Sequence, residues 1–386
     1  MQFNKIKLKD IADINMGQSP SGSSYNNNGR GIPFLQGNKT FGFLYPTIDT
    51  WTTEPKKIGK KNSVLMSVRA PVGDLNIANK DICIGRGLCS IEMKNGNNQY
   101  LYYLLKNSIK KIKMKSTGTV FDSINRKELE NIEILDFNKS QQKKISKVLF
   151  DIDKKIELNI QTNDNLSEQL KQIFNNKFYD KIQNNDCSEF KEYILYDVLD
   201  VIDNRGKTPK LVEVSNYPII DVRAISGENR IIDYKQCQKY VDDEVYNTFF
   251  RSGHPKINDI LISTVGSLAE MKIYMENKGT IAQNVVALRS KYDYPMYIYQ
   301  YLKAIKNDLI SYNIGSVQPS IKVTQFMKHN IYIPKDKELY EFENIAKLYT
   351  DKMFNISKEN ETLEQLRDTL LPKLMNGEID LDKIEI

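Results

Sequence analysis

Two long stretches of the chain place apolar residues at steps of three, four and seven positions. In the stretch from about residue 141 to 178, these positions are Ile145, Leu149, Ile152, Ile156, Leu166, Leu170 and Ile173. In the stretch from about 341 to 376, they are Phe342, Ile345, Tyr349, Ile356, Leu363, Leu366 and Leu370. This spacing predicts two long helices, each with a coiled-coil stripe.

Polar residues interrupt both stripes. Asn159 and Asn163 interrupt the first, and Lys352 and Glu359 interrupt the second. Polar groups at such positions usually fix the register and orientation of a helix pair. We therefore expect the two helices to pack against each other in antiparallel orientation. The alternative is that each helix packs onto its own globular part.

The remaining pattern favours short strands. Apolar runs such as "SVLMSV" (63–68) and "DILIST" (259–264) are bounded by Gly, Asn, Asp or Pro. The stretch "YLYYLLKN" (100–107) predicts a short helix instead.

The chain repeats itself after roughly 200 residues. The matched pairs are "LKDIADI" (8–14) with "LYDVLDV" (195–201), "GRGIPFLQGNKTFG" (29–42) with "VSNYPIIDVRAISG" (214–227), "KKNSVLMSV" (60–68) with "KINDILIST" (256–264), "YLYYLLKN" with "YIYQYLKA" (297–304), "STGTVFDSI" (116–124) with "NIGSVQPSI" (313–321), and "NIEI" (131–134) with "NIYI" (330–333). This period is too long for a solenoid unit, so it indicates two copies of a whole module.

These patterns together predict an α+β protein. We expect two α/β domains separated by two long antiparallel coiled-coil helices, arranged as a pseudo-two-fold tandem repeat. The expected segments are a first domain at 1–138, a first spacer helix at 139–180, a second domain at 190–334, and a second spacer helix with a C-terminal tail at 338–378.

Positive charge is concentrated in the first domain. The 386 residues carry a net charge of +6, and residues 1–138 hold 20 Lys and Arg against 12 Asp and Glu. A local basic surface can bind phosphates by releasing counterions. The charge distribution therefore favours a nucleic acid as partner more strongly than the net charge alone.

Signatures of catalysis, metal binding and membrane insertion are missing from the sequence. It contains no phosphate-binding G-x-x-x-x-G-K-[ST] loop, no dinucleotide fingerprint, and no N-P-P-[FY] or D-P-P-[FY] motif for base methylation. The four cysteines form no C-x-x-C pair, so buried thiols are favoured over a zinc site or disulfides. With neither a signal peptide nor a membrane span in the pattern, we expect a cytoplasmic protein.

Polar groups at glycine-rich turns are the remaining candidates for function. "NRGKTPK" (204–210) sets three cations around a turn, and both amides in "AQNVV" (282–286) can read adenine. The lysine run "KNSIKKIKMKSTGTV" (106–120) leads into the repeated loop; its alternative interpretation is a solvated face. The candidate DNA-binding residues are Arg30, Lys39, Arg69, Arg86, Thr117, Gly118, Thr119, Arg205, Lys207, Thr208, Arg223, Thr264, Gln283, Asn284, Ser316 and Gln318.

Several motifs resemble those of specificity (S) subunits of type I restriction–modification systems. The similar segments are "GKTP" (206–209), "NDILIST" (258–264), "AQNVVALR" (282–289), the Gly-Ser/Thr pairs at 118–119 and 315–316, "IPKDKELYEFENIAK" (333–347) and "LRDTLLPKLMNGEI" (366–379). The first half departs from this pattern, with Gln18-Ser19-Pro20 in place of the Gly-Lys-Thr-Pro turn and "IGRGL" (84–88) in place of "IAQNVV" (281–286).

The resemblance implies a protein without catalytic activity that reads DNA. Each domain would be a target-recognition domain for one half of a bipartite double-stranded site. The helices would dock two methyltransferase (M) subunits, and the complex would recruit two restriction (R) subunits. S-adenosylmethionine, ATP and Mg would then bind to those partners, and this chain would bind no cofactor.

Three alternatives remain open at this point. The chain could serve a methyltransferase-only complex that has no nuclease. It could also be a nuclease with its own specificity half, or a structural coiled-coil protein that does not bind DNA.

Overall fold

A computed structural model describes residues 5–115, 123–315 and 317–381 of the chain. The chain forms two compact units. The first contains the residues up to Leu158 together with those from Asn360 onward, and the second runs from Asn159 to Glu359. No helix in the described part of the chain is both long and apolar enough to cross a membrane.

Short strands make up most of each unit. In the first unit they are β1 (Lys5–Lys7), β2 (Ala12–Met16), β3 (Tyr25–Asn26), β4 (Ile32–Leu35), β5 (Trp51–Thr52), β6 (Ile58–Gly59), β7 (Val64–Ser67), β8 (Leu75–Ile77), β9 (Ile82–Ile84), β10 (Leu88–Met93) and β11 (Glu133–Leu135). In the second they are β12 (Phe190–Ile194), β13 (Leu199–Ile202), β14 (Tyr217–Ile220), β15 (Tyr240–Val241), β16 (Ile260–Ser263), β17 (Met271–Ile273), β18 (Thr280–Ile281), β19 (Val285–Ser290) and β20 (Asn330–Pro334).

The helices range from one turn to more than ten turns. They are α1 (Leu8–Ile11), α2 (Asn98–Lys115), α3 (Arg126–Glu130), α4 (Lys139–Phe174), α5 (Asp180–Gln183), α6 (Leu195–Val198), α7 (Val222–Ile225), α8 (Asp243–Thr248), α9 (Pro295–Ala304), α10 (Lys306–Ser311), α11 (Val323–Phe326) and α12 (Asp336–Met375). A π-helical turn at Asn175–Tyr179 joins α4 to α5.

The two units share one sheet arrangement. The first contains a four-stranded sheet in the order β2-β10-β7-β8, and the second contains β13-β19-β16-β17. Each unit adds a strand pair, β1-β11 or β12-β20, and a further sheet with one parallel pairing. This sheet has five strands in the first unit, where β4 and β9 are parallel, and three in the second, where β14 and β18 are parallel. The predicted α+β tandem repeat is therefore confirmed. The division into four consecutive segments stays a prediction.

The central strands lie inside the cores. All four residues of β7 and all four of β16 are buried, as expected for short apolar runs covered on both faces. The short helix expected at 100–107 lies within α2, where Tyr100 to Leu105 are buried.

One of the sequence matches was placed two residues out of register. Leu8 N donates to Ile132 O at 2.9 Å, and Leu195 N donates to His329 O at 3.0 Å. Ile132 therefore corresponds to His329, and the proposed pairing of "NIEI" with "NIYI" is wrong. A shift of two residues leaves every side chain on its own face of the strand. The alternation of apolar and polar residues along the strand therefore fits both registers equally well.

The two long helices run antiparallel within each unit. In the second unit, Asn159 Nδ2 donates to Glu359 Oε2 at 2.8 Å, while Asn163 Nδ2 donates to the Met353 carbonyl at 3.3 Å. In the first unit, Asp153 pairs with Arg367 at 2.7 Å. Positions further along α4 thus meet earlier positions of α12, as the stripes predicted.

Each long helix contributes to both cores. Ile145 and Leu149, near the start of α4, pack in the core of the first unit together with Leu374 of α12. Leu170 of α4 packs in the core of the second unit with Phe342 of α12. Both alternatives considered from the sequence therefore apply: the two helices pack against each other, and each also packs onto the globular parts.

The seam of the second helix differs from the prediction at two positions. Asn159 and Asn163 are buried on the seam, which confirms their assignment. Lys352 is exposed and Leu366 is 47% exposed, so placing them on the stripe was wrong. Arg367 occupies the buried position next to Leu366 because a buried carboxylate, Asp153, faces it.

Candidate DNA interface

A tight turn before β10 presents Arg86 to solvent. Gly85 N donates to Leu35 O at 2.8 Å, and Leu88 N donates to Gly85 O at 3.0 Å. Val68 N donates to Gly87 O at 2.9 Å, which ties the turn to the end of β7. The backbone is thus held from two sides, and the Arg86 side chain is exposed.

The second unit contains the same turn with another side chain at its tip. Ala282 N donates to Ile220 O at 2.9 Å, Val285 N to Ala282 O at 3.1 Å, and Thr264 N to Asn284 O at 2.9 Å. These three bonds correspond one by one to those around Arg86. Gln283 is therefore the structural counterpart of Arg86, and it is also exposed.

Two of the first-domain candidates share a cleft. Arg69 follows β7 and forms a β-bridge with Ser123, while Ile124 N donates to Val68 O at 3.0 Å. Arg69 and Arg86 both line a cleft of about 310 Å³ that also contains Glu128. The candidates Thr117, Gly118 and Thr119 lie outside the described residues.

Arg30 and Lys39 are not among the residues lining this cleft. Arg30 lies in the turn before β4, where its N–H donates to Asn26 Oδ1 at 2.9 Å. Lys39 lies in the turn after β4. Both are exposed, so they can contribute charge to a surface but do not share a pocket with Arg86.

The repeated loop of the second unit packs beside the Gln283 turn. Ile321 N donates to Thr264 O at 2.8 Å, and Gly266 N donates to Pro319 O at 3.0 Å. Gln318 is exposed on this loop, whereas Thr264 is fully buried beneath it. Thr264 therefore supports the loop and does not face solvent. Ser316 lies outside the described residues.

The structure also brings Gln283 to Thr208. Gln283 Nε2 donates to Thr208 Oγ1 at 3.2 Å, which joins the "GKTP" turn, with exposed Lys207, to the Gln283 turn. Asn284 differs from its neighbour because its Oδ1 is buried and has no hydrogen-bond partner among the residues that the structure describes. Of the two adjacent amides, Gln283 is the one that presents its side chain outward.

Arg205 and Arg223 are each paired with the aspartate two residues earlier. Arg205 Nε lies 2.9 Å from both carboxylate oxygens of Asp203. Arg223 Nη2 donates to Asp221 Oδ2 at 2.6 Å, and its Nη1 donates to Gln238 Oε1 at 2.7 Å. Both guanidiniums are therefore held in place, and phosphate binding would have to compete with a carboxylate.

Each pair shifts the pKa of one of its members. Partial burial acts to raise the pKa of Asp203, but hydrogen bonds from Arg205 outweigh it and lower that pKa below its ordinary value. The Asp221 carboxylate raises the pKa of Arg223 mainly through its hydrogen bonds. Neither aspartate was among the predicted candidates, although the Asp-x-Arg spacing is visible in the sequence at both sites.

A second pair of equivalent features lies at the start of each long helix. One groove, of about 610 Å³, lies between α4 and the turn before α2, and another, of about 530 Å³, lies between α12 and the turn before α9. The matched lining residues are 197 positions apart: Asn95, Gly96, Gln99, Lys143, Ser146, Lys147 and Phe150 in the first, and Tyr292, Asp293, Met296, Tyr340, Glu343, Asn344 and Lys347 in the second.

The chemistry of the two grooves differs. Lys139, Lys143, Lys147 and Lys154 line the first, with Asp151 as the acidic residue among them. The second contains charged residues of both signs and, in addition, the half-exposed side chains of Ile257, Tyr292 and Tyr340. The fold thus repeats the shape of the groove while its surface chemistry has diverged.

Glu343 anchors the second groove to α9. Its two carboxylate oxygens accept hydrogen bonds from Met296 N at 3.1 Å and Tyr297 N at 2.8 Å, in the first turn of that helix. Burial raises the pKa of Glu343 to about 7, although these two N–H donors act to lower it. A carboxylate at a helix N-terminus satisfies backbone donors that have no partner within the helix.

Comparison with known proteins finds this tandem organisation in one family. Residues 2–168 and 187–370 both match the family model described as the type I restriction modification DNA specificity domain. The two matched segments cover most of the chain and correspond to the two copies of the module.

Two relatives from Methanocaldococcus jannaschii are similar in sequence. One, assigned as the MjaX specificity subunit of a type I restriction enzyme, is 42% identical over 164 residues, which span 42% of this chain and 39% of that relative. The MjaIX specificity subunit is 25% identical over 98% of this chain and 94% of its own length. A crystal structure of the S subunit from M. genitalium has the same fold, with a TM-score of 0.61, 18% identity, and coverage of 97% of this chain and 96% of that one.

Proposed function

The chain belongs to the type I restriction–modification DNA specificity family, as a specificity subunit with two tandem recognition domains, and we propose that each domain reads one half of a bipartite double-stranded DNA target. The single observation that carries this proposal is the pair of equivalent turns bearing Arg86 and Gln283. One backbone frame presents two different side chains, as expected if each domain reads a different sequence.

The two side chains suit different bases. Arginine reads guanine through O6 and N7 in the major groove, whereas glutamine reads adenine through N6 and N7. We assign Arg86 and Gln283 to base reading, with Arg69 and Gln318 beside them. Arg30, Lys39 and Lys207 are exposed cations at turns and suit the phosphate backbone, which orients a protein without specifying sequence.

We further propose that two methyltransferase subunits dock on this chain, one in each of the equivalent grooves at the start of α4 and α12. The two grooves lie on equivalent elements, so two copies of one partner would take equivalent positions while contacting different side chains in each. Restriction subunits would join the same complex, and S-adenosylmethionine, ATP and Mg would bind to those partners. The chain itself would be non-catalytic and would act in the cytoplasm, where the DNA is.

A methyltransferase-only complex remains the alternative, because a nuclease would be a separate chain. Two experiments test the proposal. Methylation sequencing of cells with and without this gene should find a bipartite motif that depends on it. The purified chain alone, incubated with labelled S-adenosylmethionine and duplex DNA, should incorporate no methyl groups and cleave no DNA; methyl transfer by the chain alone would contradict a non-catalytic role.

A further inference from the structure

The loop between Asn313 and Ile321 is fixed at its base. Asn313 Oδ1 accepts hydrogen bonds from Gly315 N at 3.0 Å and Ser320 N at 2.9 Å, and Ile314 N donates to Ser320 O at 2.9 Å. A side chain at position 315 would collide with the carbonyl of Gln318, so glycine is required there. These contacts fix the two ends of the loop to each other, at Asn313–Gly315 and at Ser320.

Beyond this fixed base, the loop presents an apolar side chain to water. Val317 is 98% exposed, and the neighbouring Gln318 is exposed as well. Buried valines stabilise a fold, whereas this one contributes almost no packing within the chain. Because the loop is tied to Thr264 and Gly266, beside the Gln283 turn, its exposed residues border the surface proposed to read the second half-site.

We propose that Val317 is a base-reading residue and that it contacts the C5 methyl group of a thymine in the second half-site. The inference rests on the proposed function. The thymine methyl is the apolar group that base pairs display in the major groove, where apolar side chains recognise it. Valine is short and stiff about χ1, so it suits a contact with a base edge. The residues that wedge between base steps in the minor groove are typically larger, such as Phe, Leu or Met.

The neighbouring glutamine supports a major-groove approach. Gln318 carries the amide that reads N6 and N7 of adenine, and those atoms also face the major groove. Side by side, an amide and an isopropyl group would recognise an adenine and a thymine methyl within the same half-site. The sequence predicted DNA contacts from this loop because of its hydroxyl and amide groups. Val317 adds an apolar side chain that can contact a base.

The test removes the methyl group from the DNA and the isopropyl group from the protein. Once the methylated motif is known, each thymine of the second half is replaced in turn by deoxyuridine. Binding to the full chain with its methyltransferase partners is then measured for the unaltered protein and for Val317→Ala. At one thymine, the unaltered complex should lose about fourfold in affinity, which corresponds to one buried methyl group. Val317→Ala should bind the thymine duplex more weakly and show no further loss with deoxyuridine there.

Val214→Ala is the matched control. Val214 is another exposed valine of the second unit, at 80% exposure, but it lies outside the loop. This variant should keep the sensitivity to deoxyuridine. The inference is overturned if Val317→Ala keeps that sensitivity, or if the second half contains no thymine. It is also overturned if the unaltered complex binds thymine and deoxyuridine duplexes equally well and Val317→Ala weakens both by the same factor. Failure of the proposed function would look different, because the complex would not prefer the motif over a scrambled duplex.

Discussion

Asp153 on α4 and Arg367 on α12 form a buried ion pair in the core of the first unit, with Oδ1 and Nη1 2.7 Å apart. Tyr103 donates a hydrogen bond to the other carboxylate oxygen at 2.7 Å, and Lys106 Nζ lies 3.7 Å from that oxygen. Arg367 of α12 and Lys106 of α2 therefore neutralise together a buried carboxylate of α4 in the core of the first unit.

Removing either member of this pair should destabilise the first unit strongly. Asp153→Ala removes the buried carboxylate of the pair and leaves Arg367 with the exposed Asp368 as its carboxylate partner, and the expected loss is about 3 kcal/mol of the free energy of unfolding. Replacing both residues by apolar ones, Asp153→Leu with Arg367→Met, should recover most of that loss. Urea unfolding followed by circular dichroism measures each variant. A double variant as unstable as the sum of its singles would contradict the coupling.

The stability of the second unit should depend on pH through Glu343. Its pKa is raised to about 7 in the folded chain, so the folded state holds this proton more tightly than the unfolded state. The corresponding stabilisation is complete below the unfolded pKa of about 4.3 and is lost as the pH rises through about 7.

Glu343→Gln should therefore gain stability relative to the unaltered chain as the pH increases. Near pH 5 the two should be similar, and at pH 8 the variant should be more stable by about 1–2 kcal/mol. Unfolding is measured across this range for both proteins. Glu341→Gln, an exposed exchange on the same helix, controls for the loss of a charge as such. A difference between Glu343→Gln and the unaltered chain that does not change with pH would argue against a buried, proton-binding carboxyl group.

The two grooves should each bind one methyltransferase subunit. Lys143→Glu reverses a charge in the first groove, and Tyr340→Asp places a charge among the apolar side chains of the second. We expect each variant to retain one partner copy and the double variant to retain none. Native mass measurement of the complexes tests this, with the exposed Lys127→Glu on α3 as control. Intact complexes with two partners in all variants would show that the partners dock elsewhere.

The tandem organisation was predictable because its signals are local and repeated. The apolar runs at 63–68 and 259–264, the other matched segments and the helical stripes recur after roughly 185 to 200 residues, and hydrogen bonds of both units follow those matches. The correspondence of the turns bearing Arg86 and Gln283 came instead from the family resemblance, which sets "IGRGL" (84–88) against "IAQNVV" (281–286). The matched segment at 131–134 lay two residues out of register.

Buried polar contacts could not be predicted from sequence. Asp153 and Arg367 are more than 200 residues apart, and both belong to residue types that are normally exposed. The choice between Leu366 and Arg367 as the seam residue depends on that distant carboxylate. In the same way, Thr264 ends an apolar run, and its hydroxyl suggested a surface position. In the structure Thr264 is buried, and its carbonyl accepts a hydrogen bond from Ile321 at the end of the loop.

The most direct test of the account changes one reading residue in each domain. Arg86→Ala, Gln283→Ala and the unaltered chain are expressed with their methyltransferase partner, and the methylated motif is read by sequencing the genome. Both side chains are exposed, so the fold should be retained. Each lost base contact should cost about 1–3 kcal/mol of discrimination at its position. Gln172→Ala, an exposed glutamine on α4, is the matched control and should leave the motif unchanged.

Arg86→Ala should relax the base preference at one position in one half of the motif. Gln283→Ala should relax it at one position in the other half. Each variant should leave the opposite half unchanged. If either variant alters both halves, if both variants alter the same half, or if both motifs remain unchanged at full methylation, the assignment of one half-site to each domain through these equivalent turns is contradicted.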